Sequence, residues 1–213
     1  SPRSAGSTFK PFLYALAFDL GLAAPSTPLL DLPWEARDWA PANFDRAVRG
    51  PVAARDALAA SLNLPAVRLA ASLPPDALPA RLRRAGFAHG RPPGDRPAIG
   101  LAIGTDDATP MEMAGAYAAL ARGGTWRRPW LCEAERPGAV EDVRVASEGA
   151  AALVVQALSD ASRARPEGAP REGIGWKTGT SSRRRDAWAA GFTTRVTAVV
   201  WRGWLDGRPD AGL

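Results

Sequence analysis

Two residues with unusual chemistry stand out first. The chain has 213 residues and 27 lysines plus arginines, yet only Lys10 and Lys177 are lysine; the other 25 are arginine. Arginine stays protonated in proteins, whereas burial and neighbouring charge can push a lysine neutral, so a lysine kept in an arginine-using chain is a candidate for chemistry. Lys10 closes the run Ser7-Thr8-Phe9-Lys10, and at helical spacing the two polar side chains share a face and can touch. Such a pair is a serine with its own base, because a lysine desolvated against a core helix can take the hydroxyl proton. Asparagine is equally scarce, with only Asn43 and Asn63, and Asn63 follows Ser61 in Ser61-Leu62-Asn63. The second lysine sits in Gly175-Trp176-Lys177-Thr178-Gly179-Thr180. On a strand, alternation sends Lys177 and Gly179 to one face and Thr178 and Thr180 to the other. Glycine weakens a strand unless something must approach closely; a substrate backbone or the helix of the nucleophile would be that neighbour. Taken singly, a helix cap, a polar loop and a strand ending in a glycine turn explain these motifs. Together they absorb both lysines and one of the two asparagines.

The elements that must position these residues follow from periodicity. Apolar Phe9, Phe12, Leu13, Leu16 and Leu20 recur near the helical period and predict a core helix over 8–22. Pro11 is tolerated only in a first turn, so this helix should start near Ser7 or Thr8, with its N-terminus favouring negative charge that develops at Ser7. Residues 24–51, rich in Pro, Asp and Trp, read as an irregular surface connection ordered by Trp34 and Trp39. Short helices are predicted at about 52–60, 65–72, 76–86 and 110–122, with glycine-rich loops at 90–100 and 123–124, and a further helix at 147–162. Pro65 suits the first turn of its helix, which leaves Ser61 and Asn63 projecting from the preceding loop. Strands are predicted at 174–180, 187–192 and 196–201, the last two joined by Thr193-Thr194-Arg195. A mostly helical region over 1–170 followed by antiparallel sheet over 171–205 makes one α+β domain.

Composition removes several functions. At 46% hydrophobic and 23% charged the chain is too apolar to be disordered, and no run approaches the roughly 18 apolar residues of a membrane span. One cysteine, Cys132, cannot form an internal disulfide, and one histidine, His89, cannot build a multi-histidine metal site. We therefore expect no metal and no cofactor; His89 in its Gly/Pro loop and Cys132, read as buried beside Trp130 and Leu131, are expected to be structural. The net charge of +5 reflects arginine-rich usage, and no stripe of bases interleaved with aromatics points to nucleic acid.

Ser-x-x-Lys, Ser-x-Asn and Lys-Thr-Gly in this order, the first on a helix and the last on a strand, resemble the penicillin-interacting serine acyltransferases, which comprise penicillin-binding proteins and serine β-lactamases. Gly6-Ser7-Thr8-Phe9-Lys10-Pro11-Phe12, Gly115-Ala116-Tyr117-Ala118-Ala119-Leu120 before Gly123-Gly124, and Trp176 to Ser181 look like class A penicillin-binding proteins. Arg185-Asp186-Ala187-Trp188-Ala189-Ala190-Gly191-Phe192, with Pro41-Ala42-Asn43 ahead of Gly50-Pro51-Val52, is most similar to the 1C type. The resemblance implies a β-lactamase/transpeptidase-like fold and peptidoglycan D,D-transpeptidation in the periplasm. It implies that Ser7 attacks the D-Ala-D-Ala carbonyl of a stem peptide, Lys10 takes the proton, Ser61 passes one to the departing amine, and Asn63 holds the stem amide. Lys177 would bias this network; Thr178 and Thr180, beside Gly179, would receive the terminal carboxylate; and the backbone N–H groups of Ser7 and Thr180 would form the oxyanion hole. β-Lactams would esterify Ser7.

A D,D-carboxypeptidase or β-lactamase releases the acyl group to water, and a β-lactam sensor module acylates without turnover; both stay as alternatives. Class A β-lactamases place a deacylating glutamate after Ser-x-Asn. The first glutamate after Asn63 is Glu112, at a helix start, where it reads as a helix N-terminal carboxylate. Only six residues precede Ser7, so the N-terminal strands, the glycosyltransferase domain and the membrane anchor that the family carries are expected in a longer parent protein. The basic turn Ser181-Ser182-Arg183-Arg184-Arg185 is read as solvated rather than substrate-facing.

Overall fold

The computed structural model describes residues 1–34, 40–89, 97–160, 173–210 and 212. Strand β1, Arg3–Ser4, pairs antiparallel with Asp107–Ala108 and leads into a 3-10 turn, Gly6–Phe9, that continues directly as helix α1, Lys10–Asp19. The α-helix thus begins later than the pattern predicts. Pro11 falls in its first turn, where a missing N–H costs nothing, and the tighter turn before it carries Ser7. The helix also stops earlier, at Asp19: Gly21, at φ +67°, donates its N–H to Phe18 O and Leu22 donates to Ala17 O. This is the paired-bond stop that a left-handed glycine allows. It leaves Leu20 at 47% exposure, outside the core.

Residues 24–51 are more regular than their composition suggests. Strands β2, Pro28–Asp31, and β3, Gly50–Ala53, form an antiparallel ribbon with Leu29 opposite Val52. A proline in each strand and a length of four residues hide the alternation. Trp34 stacks under the Arg68 guanidinium at 5.4 Å; Trp39 lies outside the described residues. Helices α2, Ala54–Ala59, and α4, Ala77–Arg84, follow as expected, whereas α3, Asn63–Ala71, starts two residues early: Asn63 is its first residue and not part of the loop, because Asn43 caps its N–H from outside. Of the loop expected at 90–100, residues 90–96 are outside the described set and Pro97–Leu101 form a short helix, α5.

Strand β4, Asp107–Ala108, pairs with β1, and helix α6, Pro110–Ala121, is opened by a capping box between Thr109 and Glu112. Strands β5, Thr125–Trp126, and β6, Val143–Arg144, pair at the base of a long surface loop. Cys132 sits in that loop and is exposed, with Leu131 at 78% exposure. The reading of it as buried is corrected: an apolar neighbour does not bury a residue on a loop that leaves the core. Helix α7, Glu148–Ser159, is capped by Ser147; positions 161 and 162 of its expected span lie outside the described residues. The three-stranded antiparallel sheet has order β7-β8-β9: β7, Gly175–Thr180, pairs with β8, Asp186–Phe192, which pairs with β9, Thr197–Gly203.

Helix α1 is apolar on all sides and buried throughout Lys10 to Ala17, as a helix at the centre of a domain must be. Phe12 meets Phe87 and Tyr117 edge to face, with ring centroids 5.6 and 5.7 Å apart. Helices α2, α3, α4 and α7 pack against it and the sheet packs on the turn before it, so the one polar side chain it carries in its first turn, Lys10, is held in an apolar wall.

Candidate active site

Ser7 is positioned from both sides of its turn. Upstream, Ala5 N–H donates to Asp106 O at 2.9 Å, Ser4 Oγ donates to Gly104 O at 2.9 Å, and Trp188 Nε1 on β8 donates to Ser4 O at 2.9 Å. Downstream, the Tyr117 hydroxyl on α6 donates to Thr8 O at 2.9 Å. The turn then lies directly on β7. A Cβ on Gly179 would come within 2.7 Å of Ala5 O and 3.0 Å of Thr8 N, and one on Gly6, at φ +55°, within 2.7 Å of Thr180 O. Main chain packs on main chain here, which only glycine permits. The close neighbour that Gly179 implied is therefore the turn of Ser7, and the N–H groups of Ser7 and Thr180 belong to two segments in backbone contact.

Strand alternation holds as read: Lys177 and Gly179 point inward, Thr178 and Thr180 outward. Lys10 and Lys177 are fully buried. Lys10 Nζ lies 2.8 Å from Ser7 Oγ, 2.8 Å from Ser61 O and 2.6 Å from Asn63 Oδ1. Asn63 Nδ2 donates to Ala42 O at 2.7 Å, which turns its Oδ1 to the lysine. Burial first, and the Lys177 charge second, hold Lys10 well below its ordinary pKa of 10.5. A neutral amine has two N–H donors and one lone pair. In that form Ser61 O and Asn63 Oδ1, both pure acceptors, would take the two donors and leave the lone pair for the Ser7 hydroxyl; protonated, Lys10 donates to all three. Lys177 Nζ donates to Ser61 Oγ at 2.7 Å and to Thr178 O at 2.6 Å. Ser61, at φ +59°, is held in the sparsely populated left-handed region for non-glycine residues, with its hydroxyl between the lysines at 2.7 and 3.5 Å.

All the expected residues thus meet in one place, and Ser7, Ser61, Asn63, Thr178, Gly179 and Thr180 line a cleft of about 720 Å³. Two further residues were missed. Helix α3 starts at Asn63 with Leu62 at its N-cap, and Leu62 offers no side-chain acceptor. Asn43 replaces that cap from 20 residues upstream: its Oδ1 accepts from Asn63 N at 2.8 Å and from Leu64 N at 3.4 Å. Its Nδ2 donates to Asp31 Oδ1 at 2.6 Å, and Asp31, fully buried, also accepts from Arg49 N at 3.0 Å. Asp31, Asn43 and Asn63 form a chain of hydrogen bonds that ends on Lys10. The scarcity of asparagine was the signal available for Asn43; nothing local marked Asp31.

Glu112 is a capping carboxylate, as read. Its Oε2 accepts from Thr109 N at 2.7 Å and its Oε1 from Ala88 N at 2.8 Å, and its Oε1 lies 2.8 Å from His89 Nδ1. It does not line the cleft.

A half-buried serine on a fully buried lysine, beneath a strand with two outward hydroxyls, is the arrangement of a serine acyl-transferring fold. The penicillin binding protein transpeptidase domain family matches residues 1–202, and the chain belongs to it. It is 39% identical over 221 residues to Penicillin-binding protein 1C of Escherichia coli strain K12, covering 100% of this chain and 27% of that protein. The chain therefore spans about a quarter of the length of that relative. The structure of the penicillin-binding protein PonA1 from Mycobacterium tuberculosis superposes with a TM-score of 0.82 at 22% identity, covering 99% of this chain and 62% of that one. That of penicillin-binding protein A from M. tuberculosis, an imipenem acyl-enzyme complex, gives a TM-score of 0.79 at 23% identity over 95% of this chain and 55% of that one. The α+β transpeptidase-like fold and the likeness to the 1C type expected from the motifs are borne out.

Proposed function

We propose that this chain carries the peptidoglycan D,D-transpeptidase site of a longer class A penicillin-binding protein, with Ser7 as the residue acylated. One observation carries the reading: Lys10, buried and held below its ordinary pKa, touches Ser7, Ser61 and Asn63 at once. In the forward step the Ser7 hydroxyl passes its proton to Lys10 as Oγ attacks the penultimate D-Ala carbonyl of a stem peptide. The N–H groups of Ser7 and Thr180 receive the oxyanion, a donor pair whose single members are typically worth about 2.7–4 kcal/mol. Ser61, hydrogen-bonded to Lys177, passes its proton to the departing D-alanine amine and takes up the one held by Lys10, 3.5 Å away, so that Lys10 is neutral again as the C–N bond breaks to leave an ester on Ser7. Asn63 holds the stem amide, and Thr178 and Thr180, outward beside Gly179, hold the terminal carboxylate. An acceptor amine from a second strand then displaces Ser7, which recovers its proton. β-Lactams enter at the first step and stall as the ester.

Engagement of Glu112 in a helix cap outside the cleft favours transfer to an amine over rapid hydrolysis of the β-lactamase kind. The 27% share of the E. coli relative leaves room in the parent protein for a glycosyltransferase domain and a membrane anchor, with this part in the periplasm. Among the described residues no helix is long and apolar enough to cross a membrane.

Incubation with a fluorescent penicillin, followed by mass spectrometry of the labelled peptide, should place the adduct on Ser7 and lose it in Ser7→Ala. A label elsewhere would sink the assignment. A stem-peptide mimic offered with an amine acceptor should give D-alanine and cross-linked product; hydrolysed product alone would indicate a carboxypeptidase, and a stable adduct without D-alanine release a sensor module.

A further inference from the structure

The cleft does not end at Thr180. Its wall continues along the turn Ser181 to Arg184, faced by Asn43, Phe44, Asp45 and Arg49 from the connection between β2 and β3. Three arginines therefore line it against a single carboxylate, Asp45, among the described residues, and Asp45 is already paired with Arg49. The two arginines of the turn are exposed, as a solvated reading expects, yet they are also fixed. Ser181 N donates to Asp186 O at 2.9 Å, Asp186 N donates to Ser181 Oγ at 2.9 Å, and Asp210 N donates to Arg184 O at 3.0 Å. Arg183 and Arg184 are held at φ +62° and +53°, a pair of left-handed residues that these bonds over-determine. From there the Arg184 guanidinium reaches over the opposite lip, 5.8 Å from the Phe44 ring centroid.

Position along β7 says what would meet them. The outward hydroxyls of Thr178 and Thr180 come first, the Thr180 N–H next to Ser7 follows, and the arginines lie beyond, on the side away from Thr178. We propose that Arg183 and Arg184 form a carboxylate subsite for the acyl side of the substrate, the part that stays on Ser7 after the leaving group departs. The inference rests on the transpeptidase reading and adds a substrate class to it: stems with free carboxylates upstream of D-Ala-D-Ala are preferred over amidated ones. Guanidinium forks match carboxylates bidentately, and a site lined by one sign of charge also raises the local concentration of an anionic donor.

Two penicillins isolate this effect. Carbenicillin differs from benzylpenicillin by one carboxylate on the acyl side chain and shares the ring system that reacts with Ser7. On the full chain, the second-order acylation constant should favour carbenicillin by about five-fold, as one partly exposed ion pair allows. The ratio should fall to near one in Arg183→Gln/Arg184→Gln and invert in Arg183→Glu/Arg184→Glu. It should also collapse in about 1 M salt, where charges are screened beyond about 3 Å. The ratio is taken within each variant, so benzylpenicillin labelling of Ser7 shows that the site is still formed. A wild-type ratio of one, or a preference that survives in the glutamine variant, overturns the subsite while leaving the acylation reading intact. Failure of both penicillins to esterify Ser7 overturns the transpeptidase reading and the subsite with it.

Discussion

On the proposed mechanism Lys10 acts by being in the wrong place for a charge. Burial and Lys177 both disfavour its protonated form, so the amine is a base at pH values where a surface lysine is not. Lys10→Arg keeps length and hydrogen-bonding capacity but cannot release its proton. It should slow penicillin acylation by about 10²–10⁴-fold, the usual worth of a positioned base, as measured by labelling rate; an unchanged rate would remove Lys10 from the role. In the wild-type chain acylation should fall as pH drops through the depressed value of Lys10. Stability carries the same signature. Between that value and 10.5 the unfolded chain binds the extra proton, so stability rises with pH across this window. This residue was legible because lysine is so rare here. Its four contacts were only half legible: the local one to Ser7 follows from spacing, whereas those to Ser61 and Asn63 span 51 and 53 residues and follow from no local pattern.

The secondary-structure elements act through their ends. Gly179 lets β7 lie against the Ser7 turn, and Gly179→Ala would drive a methyl to 2.7 Å from a carbonyl oxygen of that turn. Backbone cannot move aside as a flexible side chain would. We expect a loss of about 1–3 kcal/mol and a slower acylation, read together by thermal unfolding and penicillin labelling; a fully stable, fully reactive variant would contradict the contact. Asn43→Ala removes a cap that helix α3 does not supply itself and strips Asp31 of a partner. It should cost about 1–2 kcal/mol, roughly 2–4 °C of melting temperature per kcal/mol, and slow acylation because Asn63 loses its anchor. The helices and the three sheet strands were readable because their periods run long enough to register. The pairs β1–β4 and β5–β6, two residues per strand, carry no period at all, and the ribbon β2–β3 hides its own behind prolines.

Across the whole molecule the sheet is the asymmetric part. β8 is covered by β7 and β9 on its two edges, while among the described residues β7 and β9 each pair on one side only; at β9, Val200 and the preceding Val196 are 63% and 64% exposed. An edge strand of that kind is a template for association. Val196→Thr/Val200→Thr should reduce self-association of this chain in light scattering while penicillin labelling persists, since neither valine lines the cleft. The order of motifs along the chain made the α+β architecture legible, whereas the exposure of Cys132 was not, because burial belongs to the path of a loop through space and not to the company a residue keeps in sequence.

The bond from Lys177 to Ser61 closes a stretch of 116 residues, and contacts of such separation form late, after the loops they close have been brought together. Ser7 and Lys10 are close neighbours in sequence, yet the contacts that surround them wait for β7. Until β7 arrives and the apolar wall seals, Lys10 is hydrated and protonated and Ser7 is an ordinary alcohol. On the proposed mechanism the Ser7 hydroxyl therefore stays inert until the fold is complete, and an incompletely folded copy should take up no penicillin.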